Sequence, residues 1–430
     1  MSRSGRVARV GSLLPTQERK ESTISTTQDA SSCESIALDS PEFVADPFPT
    51  YEQLRRHAPV FCTRMAYVGD QDIYLLSRYK DCVDLTTDER FRRVVAGSAP
   101  LPIPKSLRFL ATDGMIMMDD PEHMRLRKLV SRAFTPRAIA RLTDRTDEIT
   151  RELLGGFHPG QQIDVLEDYA LPIPVTVISE MVGVPDADRG RFHDGMNLVM
   201  NGMAEFGLEQ MAAKMEPVID FVRELIERRR HDPAEDIMTG LIHASEDGDS
   251  LSEDEVVAMV FTLVVAGYET TYNLIANGVA ALLTHPDQLQ LLKKDPELID
   301  SAVEEILRYT GTIGGTKPNY ASDDVELHGV TIPRGAMVIP LLASANRDPD
   351  VFENPEVFDI TRSPNQHIAF SKGAHFCLGA NLARMETRIA IANLITCFPD
   401  LHLAVDPAEL KIHPIPFWRR LASLPVTLDN

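Results

Sequence analysis

The sequence predicts a mainly α-helical fold with a small β region, and three observations predict it. The run from Val256 to Leu283 is strongly apolar, contains no proline and is long enough to cross a domain of this size. From Leu378 to Phe398 the apolar residues Leu378, Leu382, Met385, Ile389 and Leu394 recur at roughly helical spacing. Strand-favouring pieces are few and short, near Val60, Ile73, Val325 and Met337. With 430 residues and 43% hydrophobic content the chain can bury a large core. Length alone suggests two or three domains, but no Gly/Ser linker follows Asp46, so one helix-rich unit over 41–430 is expected.

Taken in order, residues 1–40 are rich in Ser, Thr, Arg and Gln and read as a disordered extension. Arg3, Arg6 and Arg9 hint at targeting, but Glu18, Glu21, Asp29 and the missing apolar core argue against a signal peptide. Val60-Phe-Cys-Thr63 and Ile73-Tyr-Leu-Leu76 flank Gly69-Asp70 and read as a hairpin. Ala99-Pro-Leu-Pro-Ile-Pro104 is too rich in proline for a helix. Helices then dominate from His123 to Glu305. Within them Met196, Met200, Met203, Met211 and Met215 suit either ordinary core packing or a pocket that adapts to bulky apolar ligands. Short strands return at Val325-Glu-Leu327 and Met337-Val-Ile339, and again near the C-terminus.

Charge and cysteine content narrow the function classes. A net charge of −21 argues against general nucleic-acid affinity. No N-terminal window approaches about 18 consecutive apolar residues, so no membrane anchor is expected. Cys33, Cys62, Cys82, Cys377 and Cys397 are odd in number and widely spread; they form no disulfide framework, which fits a reducing cytoplasm.

Local rules break together in the middle of the 256–283 run, at Ala266-Gly267-Tyr268-Glu269-Thr270-Thr271. Glycine and β-branched threonines disfavour helix interiors, and a carboxylate among apolar residues is costly without a partner. Such joint violations mark functional sites. Thr270 can bond the carbonyl of Ala266 and bend the helix beside Gly267, opening a groove for a diatomic ligand. Glu269 can then relay protons from bulk water, with Thr270 holding the last hydrogen bond. Further on, Glu305 and Arg308 share a helix face at i,i+3 and can form a charge-assisted pair.

The most specific stretch is Phe370-Ser-Lys-Gly373-Ala-His375-Phe-Cys377-Leu-Gly379. Pro364 and Asn365 stop what precedes it, and Gly373 permits a tight reversal around the thiol. A cysteine at a helix start feels the positive end of the dipole, which favours thiolate. Gly379 removes a side chain one step on, so a flat ligand can lie close to the backbone. A thiolate on such a loop is suited to hold a metal from one side; on haem iron it pushes electron density towards O–O cleavage.

In these stretches the chain resembles the cytochrome P-450 (haem-thiolate monooxygenase) superfamily, most closely its soluble bacterial members. The family pattern F-x-x-G-x-H-x-C-x-G is matched from Phe370 to Gly379, with Ser371 where many members have Gly. A-G-x-[DE]-T-T matches Ala266 to Thr271, E-x-x-R matches Glu305 and Arg308, and H-x-x-x-R matches His123 and Arg127. Softer likeness runs from Asp46-Pro-Phe-Pro49 to Leu424-Pro-Val426.

The resemblance implies the P-450 fold, with a long central helix over haem b and the cysteine loop on the opposite face. It makes Cys377 the thiolate ligand of the iron, and His375, His123 and Arg127 the holders of the two propionates. Ala266, Phe370, Gly373 and Gly379 would line the haem. Glu269 and Thr270 would be the acid–alcohol pair delivering protons to dioxygen. Glu305 and Arg308, with Asn346-Arg347, would lock the core that supports the cysteine loop. In one respect the chain departs from the family: Asn319 stands where related bacterial chains usually carry an Arg that anchors a propionate. An amide cannot replace a bidentate guanidinium, so that propionate is left to Lys317, to water, or to a looser hold.

The activity implied is insertion of one oxygen atom from O2 into a hydrophobic small molecule, a polyketide, terpenoid or fatty acyl compound. Electrons would come from NAD(P)H through a ferredoxin or flavodoxin with its reductase, in the cytoplasm, to a monomer. By the same resemblance Gly314, Gly315 and Thr316 would line the pocket and leave room there, and 99–104 would fold over it. An intact Glu-Thr pair argues against a peroxygenase or isomerase, and a lid and docking patch would be superfluous in a haem sensor. For docking, Arg125, Lys128 and Arg132, with Lys372, Arg384 and Arg388 flanking the cysteine, are either a basic face for an acidic donor or a solvated helix surface.

Overall fold

The computed structural model describes residues 38, 40–64, 71–94, 114–133, 136–246 and 249–429. Among the described residues the helices that position the site are α1 (Glu122–Ala133), α2 (Pro136–Gly155), α3 (Pro172–Met181), α4 (Arg189–His231), α5 (Glu253–Thr284), α6 (Ile299–Thr310) and α7 (Ala380–Cys397). Helix α5 is the predicted apolar run. It starts at a capping box, in which the Ser252 hydroxyl accepts from the Glu255 N–H and the Glu255 carboxylate accepts from the Ser252 N–H. It runs through the main core and packs on α3, α4, α6 and α7. Gly267 has a packing reason: a Cβ there would stand 2.8 Å from Ile178 Cδ1 of α3.

The β region is small, as expected. Strands β1 (Val60–Arg64), β2 (Asp72–Leu76), β3 (Phe91–Arg92), β4 (Asn319–Ala321) and β5 (Met337–Pro340) form one sheet in the order β1-β2-β5-β4-β3. The predicted hairpin is β1–β2, antiparallel with Phe61 opposite Leu75; its turn, Gly69-Asp70, lies outside the described residues, as does 99–104. Strand β3 pairs antiparallel with β4, Arg92 opposite Tyr320. A second sheet joins 402–403, 425–427 and 162–164, and 325–327 pairs with 330–332.

Two expectations need amendment. Cys62 is disulfide-bonded, which the reading of scattered unpaired thiols did not include, whereas Cys82, Cys377 and Cys397 are free. Gly314 and Gly315 do not leave open room: a Cβ on Gly314 would meet the Phe417 backbone at 3.1 Å, and one on Gly315 would meet Ile339 and Phe417. These glycines permit close packing of a C-terminal turn. Of the methionines, Met215 is core; the side chains of the other four lie outside the described set. Among the described residues no helix is long and apolar enough to cross a membrane.

Candidate active site

The cysteine loop is built from its two flanks. Glu305 and Arg308 on α6 are both fully buried and joined by two 2.8 Å hydrogen bonds. Arg308 also donates to the carbonyls of Asn346, Pro355 and Val357. Glu305 further accepts from Arg362, Asn365 and the Asp359 N–H. Asn346 in turn accepts from the Ile368 N–H at 2.7 Å, and the Cys377 N–H donates to the Phe370 carbonyl at 3.0 Å. A buried ion pair with this many partners fixes geometry where one missing partner would be costly. Arg347 adds a second anchor, donating to the Tyr309 carbonyl and stacking 3.4 Å over the Phe48 ring.

Within the loop Gly373 adopts φ +70°, and a Cβ there would stand 2.5 Å from the Thr86 carbonyl oxygen. Its conformation and its contact both demand glycine. Ser371, at the position the family pattern gives to Gly, also takes a left-handed φ of 60°. Cys377 is half-buried, just ahead of α7, whose N-cap is Gly379. A Cβ on Gly379 would meet no atom within 4 Å, so the space beside the thiol is open. The lowering expected from the helix start is outweighed: burial pushes the Cys377 thiol up, and the Gly379 N–H, Arg127 and Arg384 oppose this.

On α5 the predicted back-bond is present, the Thr270 hydroxyl donating to the Ala266 carbonyl at 2.6 Å; Thr271 does the same to Gly267 at 2.7 Å. Ala266 is exposed although it lies midway along the most buried helix, so a cavity opens on that strip. Glu269 is 2% exposed; its Oε1 accepts from Arg420 at 3.1 Å and its Oε2 is buried without a partner. Burial pushes its carboxyl up, against Arg420 and Lys317. Sequence reasoning missed Arg420, which reaches Glu269 from 151 residues away.

The structure brings together the residues expected around the propionates. The rings of His123 and His375 lie 4.2 Å apart. His123 Nδ1 faces Asp120 at 3.2 Å, while its Nε2 is buried without a partner. Arg127 donates to the Phe376 carbonyl at 2.6 Å. Burial, with Arg93, His123 and Arg127 close by, brings His375 down to about 3. The Asn319 amide nitrogen is also buried and unpartnered. Lys317 is depressed by burial and by Arg93, with Glu269 opposing.

Much of the anticipated docking patch is neutralised internally. Arg125 pairs with Asp249 and Glu255, Arg384 with Glu304 at 2.6 Å, and Arg388 faces Asp300 at 3.8 Å. The Arg132 side chain lies outside the described set.

These residues fit haem. Open space beside Gly379 and Ala266 accommodates a flat ring, and the orphaned donors of His123 and Asn319 call for carboxylates. Among the described residues no group of three or more His, Cys, Asp or Glu converges that could hold a metal ion.

A family model for cytochrome P450 matches residues 67–404. The polyketide biosynthesis cytochrome P450 PksS of Bacillus subtilis is 39% identical over 90% of this chain and 97% of its own length. Its solved structure aligns with a TM-score of 0.85 at 38% identity, covering 92% of this chain and all of that one. Cytochrome P450 monooxygenase PikC of Streptomyces venezuelae is 39% identical over 90% of this chain and 92% of its own. The structure of P450BioI in complex with a hexadec-9Z-enoic acid ligated acyl carrier protein aligns at a TM-score of 0.82 and 34% identity, over 90% and 99% of the two chains. The chain belongs to the cytochrome P450 family. It is a haem-dependent monooxygenase of the bacterial type, fed with electrons from NAD(P)H through partner proteins.

Proposed function

We propose that this monooxygenase oxidises a bulky hydrophobic compound of polyketide or fatty acyl type, inserting one atom of dioxygen while the other leaves as water. The similarity to PksS and to P450BioI, over nearly their full lengths, supports that substrate class. Residues 41–430 act as one catalytic domain following the 1–40 extension. Its electron donor is a ferredoxin or flavodoxin with its reductase, and it works as a monomer in the cytoplasm.

Haem, when bound, supplies the iron at which dioxygen is activated. Cys377 would hold that iron through Sγ as a thiolate, its proton released to solvent when the metal binds. Phe370, Gly373 and Gly379 shape the cysteine loop that would carry the haem, and Ala266 leaves space for it on α5. His123, Arg127 and His375 would hold the propionates. One observation carries the proton path: the Thr270 hydroxyl is fixed on Ala266 beside a buried Glu269 whose second oxygen has no partner. With its carboxyl raised by burial, Glu269 takes up a proton near neutrality more readily than an ordinary carboxylate. Arg420 keeps it from drifting into solvent, and Thr270 passes the proton into the cavity.

Two measurements test this. The reduced protein treated with carbon monoxide should show the red-shifted Soret band of an anionic sulfur ligand, and Cys377→Ala should lose it. Thr270→Ala should keep that band yet release more hydrogen peroxide per NAD(P)H consumed, at the expense of product. Equal coupling in the variant would remove Thr270 from the path. For the substrate class, macrolactones or acyl carrier protein thioesters should shift the spin state of the iron, and no shift with either would remove it.

A further inference from the structure

We propose that Arg93, from the strand beside Asn319, supplies the guanidinium that position 319 lacks and anchors a haem propionate. The β3–β4 register pairs Arg92 with Tyr320, so the next residue pair sets Arg93 opposite Asn319, with both side chains on one face of the sheet. Both are buried, at 7% exposure each. Arg93 Nη1 donates to the carbonyls of Pro318, at 3.0 Å, and Lys317, the residues leading into β4. Its Nε is buried and unpartnered, and so are Asn319 Nδ2 and His123 Nε2.

Three orphaned donors on neighbouring residues point to an anionic acceptor of more than one oxygen. The acids nearby do not fill that role: Asp119 accepts from the backbone N–H groups of Arg93 and Val94, and Asp120 faces His123 Nδ1. Burial lowers Arg93 to about 10 against the pull of Asp119, which leaves it fully charged at neutral pH. A guanidinium moved across one strand keeps its planar fork where an amide at 319 could give only a single neutral donor. Arg93 is thus a binding residue for the cofactor, and its bonds to 317 and 318 hold the fork in place.

Holoprotein variants separate this role from that of a strut. Haem transfer to excess apomyoglobin, followed by Soret absorbance, should run about tenfold faster or more in Arg93→Gln, the order expected for one lost charge-assisted hydrogen bond. Asn319→Arg added to Arg93→Gln should recover most of the wild-type rate, because it returns the guanidinium to the same face. Wild-type release from Arg93→Gln, or no recovery in the double variant, would overturn the proposal. Should Arg93→Gln fail to yield folded holoprotein, Arg93→Lys keeps a charge and loses the fork: faster release with an unchanged far-UV spectrum supports the assignment, and wild-type release overturns it.

Discussion

Ser371 shows how a single residue can carry strain inside a site. Its φ of 60° suits glycine, and a side chain there costs roughly 1 kcal/mol or slightly more. Ser371→Gly should raise stability by about 1 kcal/mol in chemical denaturation with the haem spectrum unchanged; a lower midpoint would show that the serine hydroxyl contributes more than its backbone costs. Glu386 on α7 is a second case. It is buried, its Oε2 has no partner, and burial pushes its carboxyl up to about 8 from an ordinary value near 4.5. Between those values the folded chain keeps a proton that the unfolded chain releases. Stability therefore falls as pH rises through that window, by up to about 1.4 kcal/mol per pH unit from this group. Glu386→Gln should flatten that slope in urea midpoints measured from about pH 5 to pH 8; parallel curves for the two proteins would assign the slope elsewhere.

At the scale of elements, what the sequence revealed was what spacing reveals. Helix α5 follows from a long proline-free apolar run, the β1–β2 hairpin from two short apolar pieces around Gly69-Asp70, and the Glu305–Arg308 contact from i,i+3 geometry. The Thr270 back-bond to Ala266 is likewise local. What stayed hidden is long-range. Arg420 on Glu269, Arg362 and Asn365 on Glu305, and Asn346 under Ile368 join positions that only the folded chain brings together. No periodicity encodes such partners. The lowering of the Cys377 pKa expected from the helix start is outweighed for a related reason: the dipole there is a local feature, whereas burial of Cys377 is a property of the assembled fold. Gly314 and Gly315 were misjudged in the same way, since Phe417 arrives from about a hundred positions away to fill their space.

Over the whole molecule the charge balance of −21 sets the problem of meeting an acidic electron donor. Internal pairing of Arg125, Arg384 and Arg388 leaves little uncommitted positive charge near the cysteine loop. Lys372 is the exception among the described members of the patch: it is exposed and stacks 5.5 Å over the Tyr79 ring. Beside the thiol, Phe376 is 40% exposed. Donor docking at this face should therefore rest on Lys372 and an apolar contact more than on a broad basic field. Lys372→Glu should weaken reduction by a ferredoxin in stopped-flow measurements, raising the donor concentration needed for half-maximal rate by about threefold to tenfold. Arg384→Gln, by contrast, should mainly lower stability, because Glu304 loses one of its two partners and keeps only His367. Equal effects of both on donor affinity would favour the broad field.

The contact between Gly373 and Thr86 reaches further than the loop it shapes. The short stretch from Thr86 to Arg93 touches the sulfur-bearing loop at its beginning and the carbonyls of Lys317 and Pro318 at its end. It works like a calliper, with one jaw on the cysteine loop and the other on the residues leading into β4. A one-residue deletion between Asp88 and Arg92 would shift both jaws together, disturbing iron ligation and propionate seating in a single stroke.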